Sequence, residues 1–445
     1  MTNNIKSVVG GRTFSLVMFS CVLGFVLFKR LYRDLGDIFL FFFVLGTIVS
    51  VYYNFRWVKK DPVFIAFFLS LTVPVLSWLN SKIQIPELAK DSPSPFFFYD
   101  FFFFWFIAYW TNGRSERIVA ILFCYCLSVL GIYLSHSPDL AAEIRRGLSG
   151  TRIDFHLVNA QHTSLFAGFG LIASSFLLVA KSTLTRNIEV GKKLLSLTFV
   201  VFFTLVIVIT QSRQVWLALA ACVLFYPIAL KLLLPSRTST RKMLATYAVL
   251  ALLLAGAANL NIIENRLNAE GSTITRITNL DLDSVSDSGS IGVRLHLWFE
   301  AWEWIMARPL LGSGEDAREI VISESKDLPD FVRADFSHLH NSHIETFVSF
   351  GIIGSVLVYF LMIYPTYRIV AAPPNSIRKT WRIFSLVVLA FWMTVNLFES
   401  YLYSANGIYI FSVFFGIIYS FKFGQQSDEI DNNQENPRKK HFCQT

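Results

Sequence analysis

Three histidines stand close together in the segment His338-Leu-His340-Asn-Ser-His343, and Gly351-Ile-Ile-Gly354 follows Asn341 after nine residues. An imidazole exchanges a proton near neutral pH, so each of the three is a candidate general base. Three imidazoles could also bind zinc, but no acid is paired with them in this segment, and we expect no metal. The apolar run from residue 343 places the cluster at a membrane surface.

Two arginines are candidates for binding phosphate, because a guanidinium stays charged and grips phosphate oxygens with two parallel hydrogen bonds. Arg213 lies in Thr210-Gln-Ser-Arg213-Gln-Val-Trp216, a connection of a few residues between apolar runs. Arg294 lies on an amphipathic helical pattern that runs to Arg308, where Pro309 and Gly312 end it. Anchoring in the headgroup region is the alternative for both, because tryptophans accompany each of them.

Composition defines the class of fold in which these residues must be positioned. Hydrophobic residues make up 54% of the 445-residue chain, 44 residues are Phe, and the mean hydropathy is +0.51. Such a chain is an all-α polytopic membrane protein, since helices satisfy their own backbone groups inside a bilayer. Twelve segments are predicted to span the membrane: 14–28, 37–53, 62–79, 96–111, 118–135, 163–180, 194–210, 214–234, 243–261, 343–365, 381–399 and 404–423.

The predicted spans divide the chain into four parts. Residues 1–261 hold spans one to nine, 262–342 form one large outer loop with short helices, 343–423 hold spans ten to twelve, and 424–445 form a disordered cytoplasmic tail. More than half of the Lys and Arg then lie on the cytoplasmic side, as the positive-inside tendency requires. Lys29, Arg30 and Arg33 disagree, because they fall in the first outer connection.

The net charge of +8 is explained by a basic cytoplasmic fringe that faces anionic headgroups, so no nucleic-acid partner is implied. No glycine-rich nucleotide loop is present, so a transfer reaction would use a donor that is already activated, and we expect no cofactor. Glu399 falls at the outer end of the eleventh span, where a carboxylate either lines a site or reaches water.

The motifs together resemble the O-antigen ligase family. In that family a His is followed by Asn, Ser or Gln, then by nine residues and Gly-x-x-Gly, and this chain has His340, Asn341, Gly351 and Gly354 in those places. The segments around Arg213 and Arg294, and Arg308-Pro-Leu-Leu-Gly-Ser-Gly314, are similar to those that precede the motif. The same C-terminal region is shared with O-antigen polymerases and protein O-oligosaccharyltransferases.

The resemblance implies a glycosyltransferase of the bacterial inner membrane with its active site on the periplasmic face. It implies transfer of O-antigen from undecaprenyl pyrophosphate to a sugar hydroxyl of the lipid A core, without a metal. His340 is then the expected catalytic residue, Arg213 and Arg294 bind pyrophosphate, and Asn341, Gly351, Gly354, His338 and Arg308 support them. A polymerase that uses the same donor is the alternative. A twelve-span transporter is less expected, because the large loop follows the ninth span rather than dividing two halves.

Overall fold

The structure is a computed structural model that describes residues 9–180, 186–233, 241, 290–326, 328, 330–373, 377 and 379–435, and every regular element within these ranges is a helix. Two 3₁₀ turns lie at Tyr99–Phe102 and Tyr401–Tyr403. The α-helices are α1 Arg12–Phe28, α2 Arg33–Val58, α3 Pro62–Gln84, α4 Phe103–Thr111, α5 Ser115–His136, α6 Leu140–Leu148, α7 Ala160–Val179, α8 Arg186–Thr210, α9 Arg213–Leu233, α10 Ser290–Ala307, α11 Ala317–Glu324, α12 Asp330–Asp335, α13 Ser342–Ala371, α14 Lys379–Val395 and α15 Ala405–Glu435.

Eight of the described helices are long and apolar enough to cross a membrane: α2, α3, α5, α7, α8, α9, α13 and α15. The helix α1 is apolar but shorter. The chain is therefore a multi-pass helical membrane protein, as predicted, although the count of twelve spans is not confirmed. The fourth predicted span forms a 3₁₀ turn and the short α4, and the eleventh ends at Val395. The ninth predicted span and residues 262–289 of the predicted loop lie outside the described residues.

The last helix is longer than predicted. It continues to Glu435, whereas the sequence predicted disorder from residue 424. A helix that an apolar span has already nucleated adds one hydrogen bond for each further residue, so polar residues can extend it. Residues 436–445 of the predicted tail lie outside the described part of the chain.

The starts of α13 and α15 and the end of α14 meet at one end of the helix bundle, which we call the site end. There the hydroxyl of Ser342 donates to the carbonyl of Glu399 at 3.0 Å and accepts from the amide of Leu402 at 3.2 Å. At the opposite end, Lys422 pairs with Asp61 at 2.7 Å and Arg382 donates to two backbone carbonyls. Lys422 and Arg382 thus lie at the end of the bundle opposite to the histidine cluster.

Gly351 breaks α13, and the segment 308–314 is inserted at the break. Gly351 has φ 59° and ψ −160°, a conformation that glycine alone adopts without strain. The amides of Ser313 and Gly314 donate to the carbonyls of Val348 and Ser349 at 2.8 and 3.0 Å, and the amide of Ile352 donates to Pro309 at 2.8 Å. The loop is therefore joined to the broken helix by backbone hydrogen bonds below the histidine cluster.

The helix α3 also forms hydrogen bonds with the broken helix α13 and with the inserted segment 308–314. Ser77 donates to the carbonyl of Ser349 at 2.5 Å and accepts from the amide of Gly314 at 3.1 Å. Asn80 donates to the carbonyl of Gly312 at 2.7 Å. Arg308 donates to the Ser313 hydroxyl at 2.7 Å and lies 4.6 Å over the ring of Trp304. Arg308 thus contacts side chains of the inserted segment and of α10, beside the break in α13.

Candidate functional site

His340 stands at the start of α13 in an unusual backbone conformation. Its φ is 51°, in the left-handed region, and Asn341 caps the helix by accepting from the amides of His343 and Ile344 at 3.0 and 3.1 Å. The preceding amide of Leu339 donates to the buried carboxylate of Glu345 at 2.8 Å. An Asn cap and a bonded amide hold the turn on both sides of a residue with strained backbone. The imidazole of His340 is thereby fixed at the site end, with 16% of its side chain exposed.

Glu399 is the partner of His340. Its Oε1 accepts from Nδ1 of His340 at 3.1 Å and from Nε2 of His338 at 3.2 Å. The carboxylate lies in the connection after α14, is 4% exposed, and is fixed by the amide of Ser400 at 3.1 Å. Burial would raise the pKa of Glu399, but the hydrogen bonds from the two imidazoles lower it well below its ordinary value.

The Glu399 contact decides which nitrogen of His340 can react. A carboxylate that accepts from Nδ1 selects the tautomer with its proton there, which leaves Nε2 to accept a proton from a substrate. Burial lowers the pKa of His340 below its ordinary value, against the hydrogen bond and charge of Glu399, which raise it. The lowered pKa favours the neutral imidazole, the state that a general base requires.

The three histidines of the sequence cluster have different surroundings. Both ring nitrogens of His343 have partners within the helices, since Nδ1 contacts the hydroxyl of Tyr359 at 2.9 Å and Nε2 contacts the carbonyl of Met393 at 3.1 Å. His338 shares Oε1 of Glu399 with His340, and the two rings lie 4.1 Å apart. His340 and His338 thus remain as bases beside a carboxylate, and His340 is the more buried of the two.

His338, His340 and Glu399 form a group whose ligand atoms all lie within 4.8 Å of one another. Two imidazoles and a carboxylate are a donor set that zinc accepts, so the acid that the sequence segment lacked is supplied from another part of the fold. Both nitrogens converge on one oxygen at hydrogen-bond distances of 3.1 and 3.2 Å. The three residues could therefore hold a metal ion, which the sequence segment alone did not predict.

Arg294 reaches the same carboxylate through Gln161. With its amide oriented so that the nitrogen faces the acid, Gln161 donates to Oε2 of Glu399 and accepts from Nη2 of Arg294 at 2.9 Å. The guanidinium is also close enough to His340 to lower the pKa of that histidine by its charge. The structure thus connects Arg294 and His340, which are 46 positions apart in the sequence, through Gln161 and the carboxylate of Glu399.

Arg213 is the first residue of α9, at the site end. The next residue, Gln214, contacts the hydrogen-bond network around Glu399. Gln214 donates to the hydroxyl of Tyr401, and that hydroxyl contacts the carbonyl of Gln161 at 3.1 Å. Trp216, on the next turn, donates to the carbonyl of Ile207 at 3.0 Å, so it packs within the protein. The residue that follows Arg213 thus contacts Tyr401, which places the start of α9 beside the network.

Sequence reasoning missed the polar residues that connect the predicted ones. Gln161 was not singled out, and Glu399 was noted only as an acid at a membrane boundary. One signal was present: a histidine cluster without an acid, and an acid without a partner, were predicted at the same height in the membrane. Such a pair is worth testing as a contact, because a buried carboxylate needs a hydrogen-bond donor.

Fold and site together define a multi-pass helical membrane protein with a histidine, its carboxylate partner and arginines at one end of the bundle. Family comparison assigns residues 198–359 to the O-antigen ligase family. The match includes Arg213, Arg294, His340 and both motif glycines, and it confirms the family that the motifs resemble. The matched segment implies a membrane glycosyltransferase of the O-antigen ligase or polymerase type, which acts on lipid-linked glycans. Comparison with curated proteins gives no match.

Proposed function

We propose that this protein is an O-antigen ligase, which moves O-antigen polysaccharide from undecaprenyl pyrophosphate to a sugar hydroxyl of the lipid A core. The observation that carries the proposal is the network in which Oε1 of Glu399 contacts His340 and Oε2 contacts Gln161, which in turn binds Arg294. A base and a permanent cation held in one network are what transfer from a diphosphate donor to a hydroxyl requires.

In this proposal each group acts on a different part of the reaction. Nε2 of His340 takes the proton of the acceptor hydroxyl while its oxygen forms a bond to the anomeric carbon. The bond from that carbon to the diphosphate breaks, and the leaving oxygen keeps the electron pair. Arg294 and Arg213 stabilise the charge on the diphosphate, and Glu399 stabilises the imidazolium that forms.

A single displacement inverts the anomeric configuration. We expect inversion because the only carboxylate described beside His340, that of Glu399, is occupied by imidazole and amide donors and is not placed as a nucleophile. The configuration of the linkage in donor and product, determined by NMR, tests this, and retention would contradict a single displacement.

The site end would face the periplasm of a bacterial inner membrane, where the donor and the lipid A core acceptor meet. This orientation is supported by the basic connections at the opposite end of the bundle, since Lys and Arg are retained on the cytoplasmic side. The base needs neither metal nor cofactor in this mechanism, so transfer should continue in the presence of a chelator.

Deletion of the gene followed by lipopolysaccharide gels tests the function. A ligase predicts a complete core without polymer, while polymer accumulates on undecaprenyl pyrophosphate. If the deletion strain makes a core that carries one repeat unit, this protein is instead a polymerase that uses the same donor. Unchanged glycans with altered solute uptake would indicate a transporter. Complementation with the wild-type chain and with His340→Ala at matched membrane levels assigns the effect to the site.

A further inference from the structure

A cavity separate from the proposed reaction site opens at the site end, and none of the proposed reaction steps uses it. The cavity has a volume of about 230 Å³, and Arg30, His136 and His156 line it from three separate parts of the chain. Its remaining walls are mainly apolar, including Ile132 and Leu157. A cavity with an arginine and two imidazoles among apolar walls fits the phosphate end of a lipid better than a sugar.

Arg30 is the unexplained charge in this cavity. Its neighbours Lys29 and Arg33 both contact Asp37, which accounts for two of the three basic residues in the first connection. Among the described residues, no hydrogen bond or ion pair involves the guanidinium of Arg30, although it is partly buried. Burial lowers its pKa, so the charged form is costly here without an anion.

The cavity is in contact with the proposed reaction site. Asn406 lines it and also contacts Nδ1 of His162 at 3.1 Å. The ring of His162 packs edge-on against Tyr401 at 5.2 Å, and Tyr401 contacts Gln161. Arg30 also lies close enough to His162 to influence that imidazole by its charge. Two side chains thus separate the cavity from the network of Glu399.

The only carboxylate described in contact with the lining histidines is Glu143, and it is already occupied. Its Oε1 pairs with Nε2 of His156 at 3.1 Å and accepts from the hydroxyl of Ser137 at 2.9 Å. The contacts of His136 are with Ser135 and the carbonyl of Ile132, both within its own helix. None of these groups neutralises Arg30.

We propose that this cavity binds a phosphate group of a membrane lipid, with Arg30 as its principal contact. This site is separate from the diphosphate site expected at Arg213 and Arg294. The inference rests on the proposed function, which supplies the two candidate sources of the phosphate. The phosphate belongs either to the polyprenyl carrier or to a phosphorylated acceptor lipid. Both present the same chemistry to the guanidinium, and binding measurements distinguish them.

The test measures the affinity of the full-length protein in nanodiscs for two probes: polyprenyl diphosphate without sugar, and lipid A with its phosphates. Arg30→Gln removes the charge and keeps a polar side chain. We expect it to weaken binding of one probe about tenfold or more, because a charge-assisted hydrogen bond to phosphate is lost. Arg30→Lys should retain part of that affinity. The probe affected identifies the carrier or the acceptor lipid as the source.

Arg33→Gln is the matched control, since Arg33 lies in the same connection, is 83% exposed, and carries the same charge. An equal loss in this variant, no loss in Arg30→Gln, or no binding of either probe to the wild type would overturn the proposed site. Failure of the proposed function would give a different result from failure of the proposed site. Loss of probe binding in Arg30→Gln by a protein whose deletion leaves lipopolysaccharide unchanged would keep the site and reject the ligase.

Discussion

At the residue scale, His340 and Glu399 titrate as a coupled pair, so the pH dependence of transfer reports on both. Transfer requires neutral His340 and falls as the pH drops through the pKa of that imidazole. Burial lowers this pKa, whereas Glu399 raises it. Glu399→Gln keeps an acceptor oxygen but removes the charge, so the pKa of His340 should decrease further.

We therefore expect the acidic limb of the rate profile to lie below the ordinary histidine value of about 6.5, and to move to still lower pH in Glu399→Gln. The maximal rate should fall on the order of 10²-fold, because the imidazolium loses its counter-charge. Initial rates between about pH 5 and 8 measure both effects. A limb that moves to higher pH would show that Glu399 does not act on the base through its charge.

The two histidines that share Glu399 should differ in their effect on the rate. His340→Ala removes the proposed base and should lower transfer by about 10²- to 10⁴-fold. His338→Ala leaves the hydrogen bond of His340 to Glu399 in place and should cost less than about tenfold. Transfer assays at equal membrane levels compare them, and a larger loss in His338→Ala would assign the base to the other imidazole.

The chemical groups of this site were predictable, but their partners were not. His340 and Arg294 follow from residue type, spacing and position at a predicted membrane boundary. Glu399 lies 59 positions beyond His340, and Gln161 lies far upstream on α7. Hydrophobic periodicity predicts a helix and its buried face, but it contains no information on which two helices meet. The hydrogen bonds between them therefore required the three-dimensional structure.

At the element scale, the break in α13 explains why glycine is needed at 351. Periodicity predicted an uninterrupted span from residue 343, because the apolar residues continue through the motif. The break depends on a segment that arrives from the loop and supplies its own amides to the free carbonyls of Val348 and Ser349. A helix interrupted in this way satisfies its backbone groups without water.

Gly351→Ala should destabilise the protein and misplace the loop. Its φ of 59° disfavours any side chain, and a Cβ would collide with the backbone of Leu310. We expect a loss on the order of 1–3 kcal/mol, measured as a lower melting temperature in detergent. Gly191→Ala is the control, because a Cβ there meets no atom within 4 Å. Equal melting temperatures for the two variants would contradict the role of the break.

At the scale of the whole molecule, the site is assembled from connections that are distant in the chain. The network combines the starts of α7, α9, α13 and α15, the connection after α14, and Arg294 on the loop helix α10. Helices that alternate in direction bring every second connection to one end of a bundle. Residues from the outer connections can thus converge on one membrane face, while Arg382 and Lys422 lie at the other.

This arrangement makes orientation in the membrane a direct test of the proposed chemistry. A donor and an acceptor that meet in the periplasm require α11, on the loop, to lie outside and the connection after α2 to lie inside. Ser323 and Lys60 are exposed in these two places, which makes each suitable for a cysteine in a chain whose native cysteines are replaced by serine.

In spheroplasts, a membrane-impermeant maleimide should label Ser323→Cys and leave Lys60→Cys unlabelled until the membrane is opened. The physical reason is the retention of Lys and Arg on the cytoplasmic side, which favours this orientation over its inverse. Retained transfer activity in each variant shows that the fold is intact. Labelling of Lys60→Cys but not Ser323→Cys would place the histidine base on the cytoplasmic face, where a periplasmic ligase has neither donor nor acceptor.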